Sequence, residues 1–131
     1  MKKNVKEIVK AIETKSGAVR SWRKILAELD PELVELQNLI YTYIFEKKNA
    51  LPRKYKEIIV CCLDSATAFE PGFRMHVRKA LLEGATVAEI LEALEICSYF
   101  NQHNLTEFLP ALVEEAEKVK KEQSKLKCQS K

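Results

Sequence analysis

Glu57 and His76 are the side chains of this chain best equipped for chemistry. Both lie in one stretch, EIIVCCLDSATAFEPGFRMHVRKALLEGA, running from Glu57 to Ala85. Its spacing predicts two helices joined by a turn at Phe69-Glu70-Pro71-Gly72. Glu57 falls early in the first helix and His76 on the apolar side of the second. Adjacent helices can bring the acid and the imidazole together in a partly buried pocket. Imidazole titrates near neutrality, and a neighbouring carboxylate favours its charged form, so such a pair is suited to moving protons. Each residue has a structural rival. A histidine on an apolar helix face is commonly a hydrogen-bonded core residue, and a glutamate near a helix start favours the helix dipole.

The elements that must position this pair read as helices. No segment alternates as a strand does, and the three glycines and four prolines fall where helices should break. Val5, Ile8, Val9 and Ile12 form a first stripe, ended by Ser16-Gly17; Val19, Trp22, Ile25, Leu26 and Leu29 form a second. Asp30-Pro31 supplies an N-cap and a proline at the first helical position of a third helix, with Leu33, Leu36, Ile40, Tyr43 and Ile44. After a break at Asn49-Ala50-Leu51-Pro52, a fourth helix is expected from about Pro52 to Thr67. Ile58, Ile59, Cys62, Leu63 and Ala66 are expected to face the core, with Glu57, Cys61 and Asp64 on a neighbouring stripe. The fifth helix begins near Pro71 or Gly72 and buries Phe73, His76, Val77, Ala80 and Leu81. Gly84 ends it as a C′ glycine.

Thr86-Val87-Ala88-Glu89 is a capping box that opens a sixth helix. Val87, Ile90, Leu91, Leu94, Cys97 and Ser98 share one broad side, while Ile96, Tyr99 and Phe100 put apolar surface elsewhere. A helix apolar on more than one side needs more than one partner, which points to a homo-oligomer. Asn104 is expected to cap a seventh helix with Leu105, Phe108, Leu109, Leu112, Val113 and Ala116 inward. Pro110 is expected to kink its first turns, and its charged end is expected to fray beyond Lys118. The fold class is therefore all-α, a bundle of six to seven helices in a single domain, 1–131, with charged ends at 1–15 and 118–131.

The totals exclude several classes. A hydrophobic share of 47% with 31% charged residues fits a soluble globular chain of one core rather than a disordered one. A net charge of +3, with lysines and glutamates mixed at both ends, argues against a nucleic-acid partner. No apolar run approaches the roughly 18 residues that span a bilayer, and charges interrupt the apolar part of MKKNVKEIVKAIETK, so neither a membrane partner nor a secretory signal is expected. The cytoplasm is the expected location. Cys61, Cys62, Cys97 and Cys128 form no C-x-x-C pair, so free thiols in a reducing compartment are expected, and two histidines without ligand spacing to a cysteine imply no metal.

From about Leu29 to Val119, roughly two thirds of the chain, the sequence resembles the carboxymuconolactone decarboxylase family, which includes AhpD-like alkylhydroperoxidases. The resemblance is carried by LPRKYKEIIVCCLDSATA, FEPGFRMHVRKALLEGAT and VAEILEALEICSYF, and most specifically by H-x-x-x-A-L-x-x-G-A-T. The redox branch carries E-x11-C-x2-C-x3-H. Laid on this chain, that pattern puts the acid at Glu57 and the histidine at His76, but its two cysteines fall on Phe69 and Gly72. A disulfide cycle needs two adjacent thiols, so that cycle cannot run here as the redox branch runs it. Glu70-Pro71-Gly72-Phe73-Arg74-Met75-His76 is instead similar to the E-P-x-x-R-x-H turn of the decarboxylase branch.

The resemblance implies an all-helical fold, trimers or hexamers with sites near subunit contacts, a small-molecule substrate and cofactor-independent chemistry. A decarboxylase of this kind holds a carboxylate, lets its electrons flow into a conjugated carbonyl and returns a proton to carbon. His76 would be the acid, Glu57 would orient it, and Arg74 would bind a substrate carboxylate; the rival reading of Arg74 is a surface or interface salt bridge. Cys61, one turn after Glu57, is the candidate redox thiol of a peroxidase-type alternative, with Cys97 as substitute; packing as a small hydrophobe is the rival reading. A third alternative is a non-catalytic oligomeric binding protein.

Overall fold

A computed structural model describes residues 6–10, 21–100 and 103–129, without the side chains of 103–105 and 129. Val5, Ile12, Ser16-Gly17 and Val19, assigned above to stripes or turns, lie outside the described residues, as do the side chains of Asn104 and Leu105. All the regular elements among the described residues are helical. Residues 6–10 are helical, and then come α1 (Ser21–Leu29), α2 (Pro31–Thr42), a π-helical turn (Tyr43–Lys47), α3 (Arg53–Ala66), α4 (Glu70–Leu82), α5 (Val87–Phe100) and α6 (His103–Gln129). Contacts gather into two units, Met1–Lys48 and Asn49–Lys131. Among the described residues no helix is long and apolar enough to cross a membrane.

In the first unit, Asp30 caps α2 as its position before Pro31 predicts: its side chain accepts from the Leu33 N–H at 3.0 Å. A small core joins Ile8, Ala27 and Val34, with Val9 and Leu26 against it. Val34 is the buried residue of α2, whereas Leu33, Leu36, Leu39 and Ile40 are exposed. The chain widens into the π-helical turn at Tyr43 and Ile44, which are also exposed.

In the second unit, α3 packs on α4, α5 and α6, and α6 packs on α4 and α5. Ile58, Cys61, Phe73, Val77, Ala80, Ala85, Ile90, Leu94, Phe108, Ala111 and Leu112 make the core. Phe73 meets Phe108 edge to face at 4.9 Å between centroids. Two expected faces are corrected. On α3 the buried residues are Lys56, Glu57, Ile58, Cys61 and Ser65, while Ile59, Leu63 and Ala66 are exposed and Cys62 is half-buried. The stripe carrying the glutamate turns inward because its carboxylate finds buried partners, described below. On α6 the inward residues are Phe108, Ala111, Leu112, Glu115 and Val119, not Leu109 or Val113.

Local signals set the joints. α3 ends where Ala68 takes a left-handed φ of 54°, and the Phe69 N–H reaches back to the Asp64 carbonyl at 2.8 Å. Helix α4 begins at Glu70, slightly before the predicted start. It ends at Gly84, whose φ is 88°; the Gly84 and Ala85 N–H groups bond the Leu81 and Ala80 carbonyls at 3.1 and 2.9 Å, a Schellman close. The capping box forms in both directions: the Thr86 N–H donates to Glu89 Oε2 at 2.8 Å, and the Glu89 N–H donates to Thr86 Oγ1 at 3.1 Å. Glu89 also takes Lys54 Nζ at 2.6 Å, linking the start of α5 to the start of α3.

Helix α6 departs from expectation at both ends. It starts at His103, so Asn104 lies inside it, and it contains Pro110. Its charged end is helical to Gln129 rather than frayed. Arg78 on α4 forms a two-pronged ion pair with Glu122, which gives the late turns a tertiary partner.

Candidate active site

Glu57 sits one turn into α3, and its side chain is fully buried. Arg53 stands in the first turn of the same helix, and its Nε and Nη2 lie 2.8 and 2.7 Å from Glu57 Oε1. A cation in a first turn opposes the helix dipole, and arginine before glutamate is the weaker order for an i,i+4 pair. Helix propensity alone therefore does not account for this pair; the buried carboxylate that it neutralises does.

His76 reaches the other carboxylate oxygen from α4. Its Nδ1 lies 2.6 Å from Glu57 Oε2, and its side chain is 12% exposed. Each oxygen of Glu57 thus has a cation or an imidazole. Burial pushes this carboxyl upward, but the His76 hydrogen bond and charge, followed by the charges of Arg53 and Lys79, win and hold it below its ordinary value. The arrangement is a buried anion that fixes Nδ1 of an imidazole and leaves Nε2 outside that contact. Arg53 and Lys79 escaped the sequence reading. Their signals were the i,i+4 spacing from Arg53 to Glu57 and the i,i+3 spacing from His76 to Lys79.

No model of a known protein family matches this chain, and a comparison with curated proteins finds no match. Among solved structures, a crystal structure of a "putative carboxymuconolactone decarboxylase" from Burkholderia xenovorans LB400 superposes with a TM-score of 0.80. The match covers 92% of this chain and 97% of that one at 23% identity. The chain has the carboxymuconolactone decarboxylase fold.

Within this carboxymuconolactone decarboxylase fold, the remaining sequence-named residues have other partners or surroundings. Arg74 is drawn toward α6: its Nε donates to Glu70 at 2.8 Å, its Nη1 to Glu114 at 2.6 Å, and Glu115 lies 3.5 Å away. These carboxylates push its guanidinium pKa up, chiefly through the Glu114 and Glu70 hydrogen bonds. Cys61 is fully buried, and that burial raises its thiol far above the ordinary range, so it is short of thiolate. Phe69 and Gly72, which stand where the redox pattern has cysteines, are packed ring against backbone. An apolar groove of about 380 Å³ opens along Leu81, Ala85, Val87, Val113, Ala116 and Val119, and its lining does not include Glu57 or His76. Among the described residues no cluster of three or more His, Cys, Asp or Glu side chains could hold a metal ion.

Proposed function

We propose that this chain performs cofactor-independent acid/base chemistry of the decarboxylase type on a small carboxylated substrate, with His76 moving the proton and Glu57 orienting it. The single observation that supports this is the 2.6 Å contact between His76 Nδ1 and the buried Glu57 carboxylate. When the substrate loses carbon dioxide, the bonding electrons pass into its own conjugated carbonyl, giving an enolate. Nε2 of a protonated His76 returns a proton to carbon, and Glu57 stabilises the imidazolium before that transfer. Arg74 would bind the substrate carboxylate in exchange for the carboxylates of α4 and α6 that engage it, while Arg53 and Lys79 add positive charge near Glu57.

The proposal includes self-assembly, with trimers or hexamers as the expected states. Its support is the large apolar surface on separate helices: Leu29 is 79% exposed, Tyr99 86% and Phe100 85%. A neighbouring copy could then supply the outer wall of the His76 site. The free cysteines suit a reducing compartment, in keeping with a cytoplasmic location.

The test is a panel of carboxylated lactones assayed for carbon dioxide release with wild type and His76→Ala. Turnover by wild type that is lost in the variant supports the reading. Turnover that survives the substitution removes His76 from the acid role, and a wild type inert across the panel removes the decarboxylase reading.

A further inference from the structure

The apolar groove between α4, α5 and α6 has a polar edge that the Glu57–His76 pair does not share. Leu81 near the end of α4, Ala85 in the joint and Val87 at the start of α5 line one side, and α6 lines the other. The stretch of α6 involved runs from Val113 to Gln123, about 15 Å of helix. The groove's volume of about 380 Å³ falls within the roughly 300–1,000 Å³ of small-molecule pockets. Its polar lining is Glu117, Lys120 and Gln123. Other charges on this part of α6 are already taken: Glu114 pairs with Arg74, Glu115 with Lys118 and Glu122 with Arg78. Among the described residues, the side chains of Glu117 and Lys120 form no ion pair or hydrogen bond, with each other or with a neighbour. Three residues apart on a helix, they set an anion and a cation on one face, roughly 5–6 Å apart at Cβ.

We propose that this groove binds a free apolar α-amino acid, of which phenylalanine and leucine are examples. The ligand's ammonium donates to the Glu117 carboxylate. Its carboxylate accepts from the Lys120 ammonium, with the Gln123 amide as a second donor. Its side chain lies along Leu81, Val87, Val113 and Ala116. Charge complementarity selects this class. A fatty acid would set its carboxylate beside Glu117 as well as Lys120, and an alkyl amine would set its ammonium beside Lys120 as well as Glu117. Each of those ligands meets one like charge at the rim. A ligand with both charges on one carbon answers both side chains across a single helical turn. The apolar lining selects within the class. Val87 is 39% and Val113 47% exposed, so a large side chain removes apolar surface from water, and glycine does not. The site is open and its ion pairs are exposed, so affinity is modest and exchange is fast.

The experiment titrates the full chain, labelled with nitrogen-15, with L-phenylalanine at about pH 6, where an α-amine is charged. Backbone amide signals are followed by NMR. Saturable shifts are expected at Leu81, Ala85, Val87, Val113 and Ala116. Three further probes dissect the ligand: glycine lacks the side chain, 3-phenylpropanoate the ammonium and phenylalaninamide the carboxylate. Glycine should give no saturable shift at these positions. The other two should bind about two- to fivefold more weakly than phenylalanine, the worth of one exposed ion pair. Glu117→Gln should weaken phenylalanine by a similar factor and leave 3-phenylpropanoate no weaker. Lys120→Gln should weaken phenylalanine and leave phenylalaninamide no weaker. Both positions are exposed, so both variants should keep the wild-type circular dichroism. Groove signals that stay fixed up to the solubility of phenylalanine overturn the proposal, as do saturable shifts confined to other residues. So does either one-charge probe binding as tightly as phenylalanine, or a pair of variants that both bind it as wild type does. Because neither Glu57 nor His76 lines the groove, failure here leaves the acid/base reading standing, and failure of that reading leaves this one.

Discussion

The ring of Phe69 lies against Gly72. A Cβ at position 72 would come within 2.5 and 2.7 Å of two ring carbons of Phe69 and 2.6 Å of Asp64 Oδ2. Position 72 is inside α4, where replacing glycine by alanine ordinarily helps a helix. Here the sign should reverse. Gly72→Ala is expected to lose about 1–3 kcal/mol through overpacking, read as a lower urea midpoint. Adding Phe69→Ala should recover part of the clash, giving a favourable coupling in a double-mutant cycle. Strict additivity would show that the ring is not what the glycine accommodates.

Gly84 is the contrasting glycine. Its φ is 88° and nothing lies within 4 Å of a Cβ built there. Space is open, so only backbone conformation opposes a side chain. Gly84→Ala should cost about 1–2 kcal/mol, and Gly84→Asn less, since asparagine tolerates the left-handed region better. Thermal melts of the two variants check this; equal losses would mean that conformation is not the cause.

These joints were legible because their causes are local. Asp30 before Pro31, Gly84 after a helical stripe and Thr86 three residues ahead of Glu89 each act within one turn, and each is found in the predicted role. The inward stripe of α3 was not legible. By hydrophobicity Ile59 and Leu63 belong inside, and Glu57 outside. The reverse holds because the imidazole of His76, on another helix, offsets the burial of that carboxylate. The length of α6 was hidden for the same reason: Glu122 has its partner, Arg78, on α4. Within the site, the Glu57–His76 spacing could be read from the sequence. Arg53 was passed over because a surface i,i+4 pair looks the same in sequence as one that neutralises a buried acid.

The lowered Glu57 pKa fixes a pH dependence. A carboxyl held below its unfolded value binds fewer protons when folded, so its contribution is fully present above the ordinary glutamate range and is lost as pH falls through the folded value. Stability should therefore drop from about pH 5 downward, and Glu57→Gln should flatten part of that drop while lowering stability near neutrality. Glu89, Glu114 and Glu122 are also held low by their cations, but they are unaltered in the variant, so they contribute a common background. Urea unfolding of both proteins across acid pH is the measurement. Parallel curves would mean that Glu57 is not a source of the acid sensitivity.

Arg53 offers the sharper test of how the imidazole is held. Its two nitrogens meet Glu57 Oε1 while His76 meets Oε2, so removing it leaves the His76 contact in place but withdraws a positive charge from the carboxylate. Burial, which pushes the Glu57 carboxyl upward, is then opposed chiefly by His76. Arg53→Ala should raise the Glu57 pKa, move the acid transition to higher pH and cost about 1–3 kcal/mol near neutrality, because a buried oxygen loses its partner. Arg53→Lys should recover part of the pH shift, since the charge returns without the two-pronged geometry. A merely structural loss would lower stability by a similar amount at every pH. An acid transition in Arg53→Ala that stays at the wild-type pH would therefore remove the arginine from the electrostatics of the pair, leaving His76 and Lys79 to hold the charge.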